Sequence, residues 1–460
     1  MNELSEISRK QKEHFQKGET LSLSSRRRAL KTLVRMLRSE GDRIAGAIGE
    51  DLGRCWMEAW SSEPGLVIAD ASHALRSLFL WKPGRLHRPS PLMLPGIVRS
   101  RREPLGTAVI IGPWNYPAGL LLAPMVSALA AGNTVILKPS ERAPHTAETL
   151  KSIIGEYFQP GLAAVADGGG ETAKWLIENA ADIVCFTGSG NTGKSVMASA
   201  SSRPVPVILE LGGVNPCFVK ADANLKAAAE RIAWGKFFAA GQTCLAPNHV
   251  FVEEEVHLEF LNLLRETVAR FYGERPETSP DYGRIIDLEA WSRLEPMLNM
   301  GEPVCGGYGV REDLFIAPTV LSGVKMDSPL LREEIFGPIL PVIPCRSIED
   351  EMASTPGGDY SPLAAYGFSK RPLKTAKMIR KYIRSGSVTV NGTLHRIVSS
   401  SIGFGGVGGS GFNRYRGGTG YRSFSWERVE LIKCPGIEMP MVYPPYRIGR
   451  GLVRFLARFF

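Results

Sequence analysis

Between residues 25 and 48, apolar side chains return every three or four positions. Leu30, Leu33, Leu37, Ile44 and Ile48 fall on one stripe, with arginines and Lys31 elsewhere. That period predicts an amphipathic helix with one buried face. A second helical run covers residues 63–81. The pattern then breaks, because Pro83, Pro89, Pro91 and Pro95 exclude a helix over 82–96 and predict an extended arm or linker. From residue 106 onward, short apolar runs alternate with helical ones. Strands are expected at 106–112, 133–137, 162–166, 182–186 and 205–211, with helices at 118–131, 146–158, 171–179 and 194–200. Unbroken apolar strands separated by helices predict a parallel sheet covered on both faces. A helical run follows at 225–238, and after residue 244 a second α/β unit is expected, beginning with a strand at 249–253 and a helix at 256–272 and ending with a strand at 387–391. No internal repeat is visible.

Composition narrows the class without choosing a function. A chain of 460 residues has length for about three domains. Its 44% hydrophobic and 22% charged residues sit near the average for soluble globular proteins. Seven scattered cysteines form neither a disulfide framework nor a metal-ligand spacing, so reduced thiols, no metal and a cytoplasmic location are expected. Residues 1–19 are too polar for a secretory signal, and the apolar run 118–131 is shorter than the roughly 20 residues a membrane span needs. The net charge of +9 comes with neither aromatic interleaving nor a recognition motif, which argues against nucleic acid.

Candidate chemistry gathers around Gly241-Gln242-Thr243-Cys244, where a helical run ends in small residues and Pro247 stops its continuation. Cys244 alone among the cysteines has a turn setting that a substrate could reach; the bland alternative is a small buried hydrophobe. Gly188-Ser189-Gly190-Asn191-Thr192-Gly193 fits G-x-G-x-x-G, following a strand and opening a helix, a context in which backbone N–H groups can face a pyrophosphate. It does not follow the first strand of its unit, and no acidic residue completes the fingerprint, so dinucleotide binding stays open on that pattern alone. Glu210, at the end of an apolar strand beside Gly212 and Gly213, suits a general base tuned by burial or a structural carboxylate. Asn115 could donate to a developing oxyanion, or serve only its turn.

Taken together and in order, these stretches resemble the aldehyde dehydrogenase superfamily, most closely its class-three branch of fatty and aromatic aldehyde oxidisers. The resemblance runs over nearly the whole chain, through residues 113–117, 132–141, 186–189, 210–213, 241–244, 334–338 and 404–411. It implies that Cys244 attacks the aldehyde, that Asn115 and the Cys244 N–H hold the oxyanion, and that Glu210 activates water to hydrolyse a thioester. It places Lys138 and Glu141 at the adenosine ribose, Ser189 beside Gly188 at the pyrophosphate, and Glu334 with Phe336 at the nicotinamide ribose. The implied cofactor is NAD, with NADP as the alternative. Glu141 would repel a 2′-phosphate, which favours NAD. Three positions depart from the family pattern: Val214 stands where Lys is usual, Asn413 where Gly is, and Arg416 where His is frequent.

The expected fold is therefore α/β, a Rossmann-like cofactor domain (1–81 and 101–212) with an α/β catalytic domain (213–412). A small β oligomerisation arm (82–100 and 428–437) would pair across a two-fold axis in a homodimer. The expected function is NAD(P)-dependent oxidation of a hydrophobic aldehyde to its acid. The alternatives are a coenzyme-A-acylating or acid-reducing relative, for which a water-activating Glu210 would be useless, and a non-catalytic structural protein on the same fold. In the tail, 447–460, Ile448, Leu452, Phe455 and Phe459 recur at helical spacing, as do Arg447, Arg450, Arg454 and Arg458. Such a basic apolar helix could contact an anionic membrane surface, or dock on the body, or stay disordered.

Overall fold

The computed structural model describes the chain except residues 1, 83, 91–92, 355–360, 437–442, 447–448 and 458–460. The first apolar stripe becomes the helix Leu23–Leu52. The Ser22 hydroxyl caps it by accepting the Ser25 N–H, and Gly53 closes it at φ 61°. Leu30, Leu33, Leu37, Ile44 and Ile48 are all buried. The helix packs against Pro64–Trp81 and Pro144–Tyr157.

The central strands Thr107–Ile111 and Thr134–Lys138 are buried at every position, as a sheet covered on both faces requires. Their sheet has six strands, in the order Gly411–Phe412, Val207–Leu211, Ile183–Gly188, Thr107–Ile111, Thr134–Lys138, Ala163–Val165. All its pairs are parallel except the first, where Gly411 opposes Glu210. The helix Gly119–Ala131 is apolar on all sides and almost wholly buried against this sheet.

A second sheet of seven strands runs Glu302–Cys305, Thr319–Ser322, Ile339–Cys345, His249–Glu253, Pro216–Val219, Ala365–Phe368, Val388–Val390. Only its first pair is antiparallel. The third sheet is a small arm. Gly96–Pro104 pairs on one side with Arg85–His87 and on the other with Ser425–Lys433, over nine residues. Arg99 and Arg101 both reach Glu430 across that ladder.

Several local expectations need correction. The G-x-G-x-x-G segment opens a helix, as expected, but that helix starts earlier than the expected 194–200. The helix begins inside it, at Gly190–Ala200, with Ser189 as its cap, accepting the Thr192 N–H at 3.2 Å. Residues 2–16, read above only as polar, form the helix Asn2–Gln16. Gln11 docks it by donating to the carbonyls of Val135 and Pro160. The strand Gly411–Phe412 joins the first sheet, although the division above assigns it to the catalytic part. In the tail, Arg450–Leu456 forms a short helix with Leu452, Val453 and Phe455 exposed. Arg447, Ile448, Arg458 and Phe459 lie outside the described residues. No helix among the described residues is long and apolar enough to cross a membrane.

Candidate active site

In parallel α/β sheets, ligands collect beyond the carboxyl ends of the strands, where chain crossings leave a crevice. Here Thr107–Ile111 leads to Asn115, Ile183–Gly188 leads to Ser189, and Val207–Leu211 ends on Glu210 and Gly212. These ends open on a cleft of about 680 Å³ that Cys244, Glu334 and Phe336 also line. Seven residues singled out from the sequence thus share one cleft: Asn115, Gly188, Ser189, Glu210, Cys244, Glu334 and Phe336. Lys138 and Glu141 do not line it. They form an ion pair of 2.7 Å at the end of the neighbouring strand, and Glu141 lines a separate groove.

Cys244 is set by an unusual backbone. The helix Leu225–Phe237 ends, and residues 239 to 241 follow in left-handed conformation: Ala239 at φ 52°, Ala240 at 51° and Gly241 at 74°. For each alanine this costs about 1–2 kcal/mol. A Cβ on Gly241 would lie 2.3 Å from the Gly337 carbonyl oxygen, so only glycine fits. The loop that follows is tied at every step. The Gln242 side chain accepts the Ile286 N–H and donates to the carbonyls of Ala239 and Arg284. Asn115 Nδ2 donates to the Gln242 carbonyl at 2.8 Å, and Tyr116 and Thr243 share a hydroxyl hydrogen bond of 2.7 Å. Asn215 Nδ2 donates to the carbonyls of Cys244 (2.7 Å) and Ala246 (3.0 Å), while Tyr366 donates to Leu245.

The half-buried thiol also lines a second, mostly apolar cavity of about 300 Å³. Val67, Leu120, Trp234, Phe238, Leu394 and Phe404 are among its walls. Cys244 therefore stands where the cleft that holds the charged residues meets an apolar pocket.

The electrostatics of the cleft favour neutral groups. Burial, and then the carboxylates of Glu334 and Glu210, push the Cys244 thiol up to about 12, with Arg396 acting the other way. Burial also raises Glu210 well above the usual carboxylate range, against Arg414 and Arg396. Both its oxygens lack a hydrogen-bond partner among the described residues. Glu334 is held up at about 7 by burial, with Oε1 unpartnered. Behind the loop, burial lowers Lys236 to about 7, and the charges of Glu334 and Arg293 act on it in opposite directions.

Sequence reasoning missed Asn215, Gln242, Tyr366 and Lys236. Only Asn215 carried a local signal, standing two residues beyond the Gly212-Gly213 pair. Two departures noted above have structural accounts. Asn413 adopts φ 64°, a conformation asparagine tolerates, and donates to the Val207 carbonyl. Buried Arg416 binds Asp70 through two contacts of 2.6 Å in the wall of the apolar cavity. Nothing in the structure explains Val214.

Comparisons with known proteins bear on the family. Residues 2–428 match the sequence model of the aldehyde dehydrogenase family. The 4,4'-diapolycopene-4,4'-dial dehydrogenase of Cytobacillus firmus is 38% identical over 92% of this chain and 93% of its own. The dimeric NADP-preferring aldehyde dehydrogenase of Rattus norvegicus is 36% identical over 94% of this chain and 95% of its own. Among solved structures, the substrate-bound state of Staphylococcus aureus AldH aligns over 100% of both chains, with a TM-score of 0.93 and 36% identity.

Proposed function

Because this chain belongs to the aldehyde dehydrogenase family, in its class-three branch, and oxidises aldehydes with NAD(P), we propose that its substrate is a long apolar or aromatic aldehyde and that Cys244 is the nucleophile. The observation that carries this reading is the placing of Cys244 between the cleft lined by Glu210 and Glu334 and the apolar cavity. The aldehyde carbon would meet the sulfur at that junction, with its hydrocarbon in the apolar cavity. The relative from Cytobacillus firmus, named for a polyene dialdehyde, supports the same direction. Reduced-nicotinamide absorbance with a series of aldehydes tests it. kcat/KM should rise by at least about tenfold from short to long-chain or aromatic members, each buried methylene contributing about 0.8 kcal/mol. A flat series would refute the apolar assignment.

In this mechanism the Cys244 thiol loses its proton to water, the thiolate sulfur bonds to the carbonyl carbon and the carbonyl π pair moves to oxygen, giving an oxyanion with Asn115 and the Cys244 N–H as donors; a hydride leaving that carbon then restores the carbonyl as a thioester. The nicotinamide dinucleotide, when bound, supplies the hydride acceptor. Glu210 then takes a proton from water as the water oxygen bonds to the acyl carbon. The carbon–sulfur bond breaks, releasing the acid and returning the sulfur.

The residues present suit such a dinucleotide. Buried Glu334 Oε1 lacks a partner, as a group awaiting a hydroxyl donor would. A Cβ on Gly212 would come 2.0 Å from Glu334 Oε2, so glycine keeps that approach open. Ser189 and the N-terminus of the helix Gly190–Ala200 would hold the diphosphate. We assign Lys138 and Glu141 to the adenosine ribose. Because Glu141 already occupies Lys138, little positive charge is left for a 2′-phosphate. NAD should be preferred over NADP by about fivefold or more in kcat/KM, although the rat relative is named NADP-preferring. Equal efficiencies, or a preference unchanged in E141Q, would remove Glu141 from that role.

Two associations complete the reading. The edge strand Ser425–Lys433, with Val429 and Leu431 exposed, is the proposed contact of a homodimer. The helix Arg450–Leu456, with Leu452 and Phe455 exposed beside Arg450 and Arg454, is the proposed membrane contact. Sedimentation of the full chain, and of a chain ending at Tyr446, tests both. Each should sediment as a dimer, and only the longer should pellet with anionic vesicles. Monomers would refute the first assignment, and equal pelleting or none the second.

A further inference from the structure

The mechanism makes no use of a buried group of charges beside the Cys244 loop. Arg54, with its side chain 1% exposed, donates to Glu63 Oε1 at 2.7 Å, to the Ser62 hydroxyl at 2.6 Å and to the Glu58 carbonyl at 3.1 Å. Glu63 Oε2 accepts the N–H groups of Ala118 and Gly119, at the start of the helix that follows Asn115. The Glu63 carboxylate is thus fully engaged.

Glu58 is placed differently. Its Oε2 lies 3.7 Å from Arg54 Nε, and it accepts the Ala239 N–H at 3.1 Å. Ala239 is the first of the three left-handed residues that turn the chain toward Cys244. A left-handed alanine persists only where its surroundings over-determine it, and this is the side-chain contact that holds the amide. The Arg54 guanidinium also stacks over the rings of Tyr116 (4.7 Å) and Phe238 (5.7 Å). The Tyr116 hydroxyl in turn meets Thr243, next to Cys244. The charged group therefore touches the loop on both sides of its kink.

We propose that Glu58 is a positioning residue for the thiol: by accepting the Ala239 N–H it holds the left-handed turn that aims Cys244 at the junction of cleft and cavity. Arg54 keeps the carboxylate in place and, through Tyr116, braces the other end of the loop. Glu58 touches neither aldehyde nor cofactor, so its loss should slow formation of the carbon–sulfur bond and leave dinucleotide affinity alone. The inference rests on Cys244 being the nucleophile, and a fully active C244A variant would overturn that reading separately.

Two substitutions separate the hydrogen bond from the charge. Asp keeps the charge for Arg54 but, one methylene shorter, withdraws the oxygen from Ala239. Gln keeps an acceptor of the same reach and drops the charge. E58D should slow the first-turnover burst of reduced nicotinamide about tenfold, with an unchanged cofactor KM and faster hydrogen exchange at the Ala239 and Ala240 amides. E58Q should stay within about twofold of wild type in burst rate and exchange. A wild-type burst in E58D overturns the proposal, and so does E58Q as slow as E58D. An Ala239 amide that exchanges as fast as a free peptide in the wild-type enzyme overturns it whichever variants fold.

Discussion

Replacing Cys244 with alanine is expected to abolish aldehyde oxidation, by at least about a hundredfold, while dinucleotide affinity stays within about twofold. The thiol forms the covalent intermediate, and removing a nucleophile costs more than removing any single group that assists it. The other cysteines are poor substitutes. Cys185 and Cys217 are buried, and their thiols are raised by burial. Neither lines the cleft, and nor do Cys55, Cys305, Cys345 and Cys434. The loop should keep its shape without the sulfur, because Asn215 and Tyr366 hold it through backbone carbonyls and Gln242 through its side chain. Nicotinamide absorbance measures the activity, and a fluorescence titration measures the affinity. Residual oxidation above about a percent of wild type would remove Cys244 from the mechanism.

Glu210→Gln should leave the first turnover nearly intact and slow steady-state turnover by about 100-fold or more, the usual loss when a positioned general base is removed. Rapid mixing should then show a burst of reduced nicotinamide followed by a slow phase, because the acyl group waits on sulfur for an activated water. The pH dependence follows in sign. Burial raises the Glu210 pKa, so its base form is lost as pH falls through that raised value. Wild-type steady-state turnover should therefore climb with rising pH over a range above that of an ordinary carboxylate, and the glutamine variant should lose that limb. Glutamine occupies the same volume, and it removes a carboxyl whose ionisation burial opposes, so the variant should fold. A slow first turnover without a burst would mean that Glu210 acts earlier, on the thiol.

The apolar run of Thr107–Ile111 announced a buried parallel strand in its own residues, because a strand covered on both faces needs no polar position. Leu23–Leu52 was legible for the analogous reason: a stripe every 3.6 residues can be satisfied only by a helix with one face in the core. Cys244 was legible as a thiol at a helix end, and the motif order around it supplied the company it keeps. Edge strands were not legible. Glu302–Cys305 is short and only half-covered, so neither periodicity nor apolarity marks it.

The helix Asn2–Gln16 has only a thin apolar stripe to betray it: Leu4 and Ile7 pack against the core, and its remaining anchor is the amide of Gln11 reaching carbonyls 124 and 149 residues away. Ala239 and Ala240 carry no sign of their left-handed backbone, because alanine ordinarily prefers the opposite hand. That conformation is imposed from outside the segment, by Gly241 against Gly337 and by Glu58, 181 residues earlier in the chain. Arg416 and Asp70 likewise meet only across 346 positions. Local pattern determined which segments became strands and helices, since those depend on near neighbours. The aim of the thiol, the raised pKa values of the groups in its cleft and the apolar wall beside it were decided by the tertiary structure, because burial and contact arise only where distant segments cross.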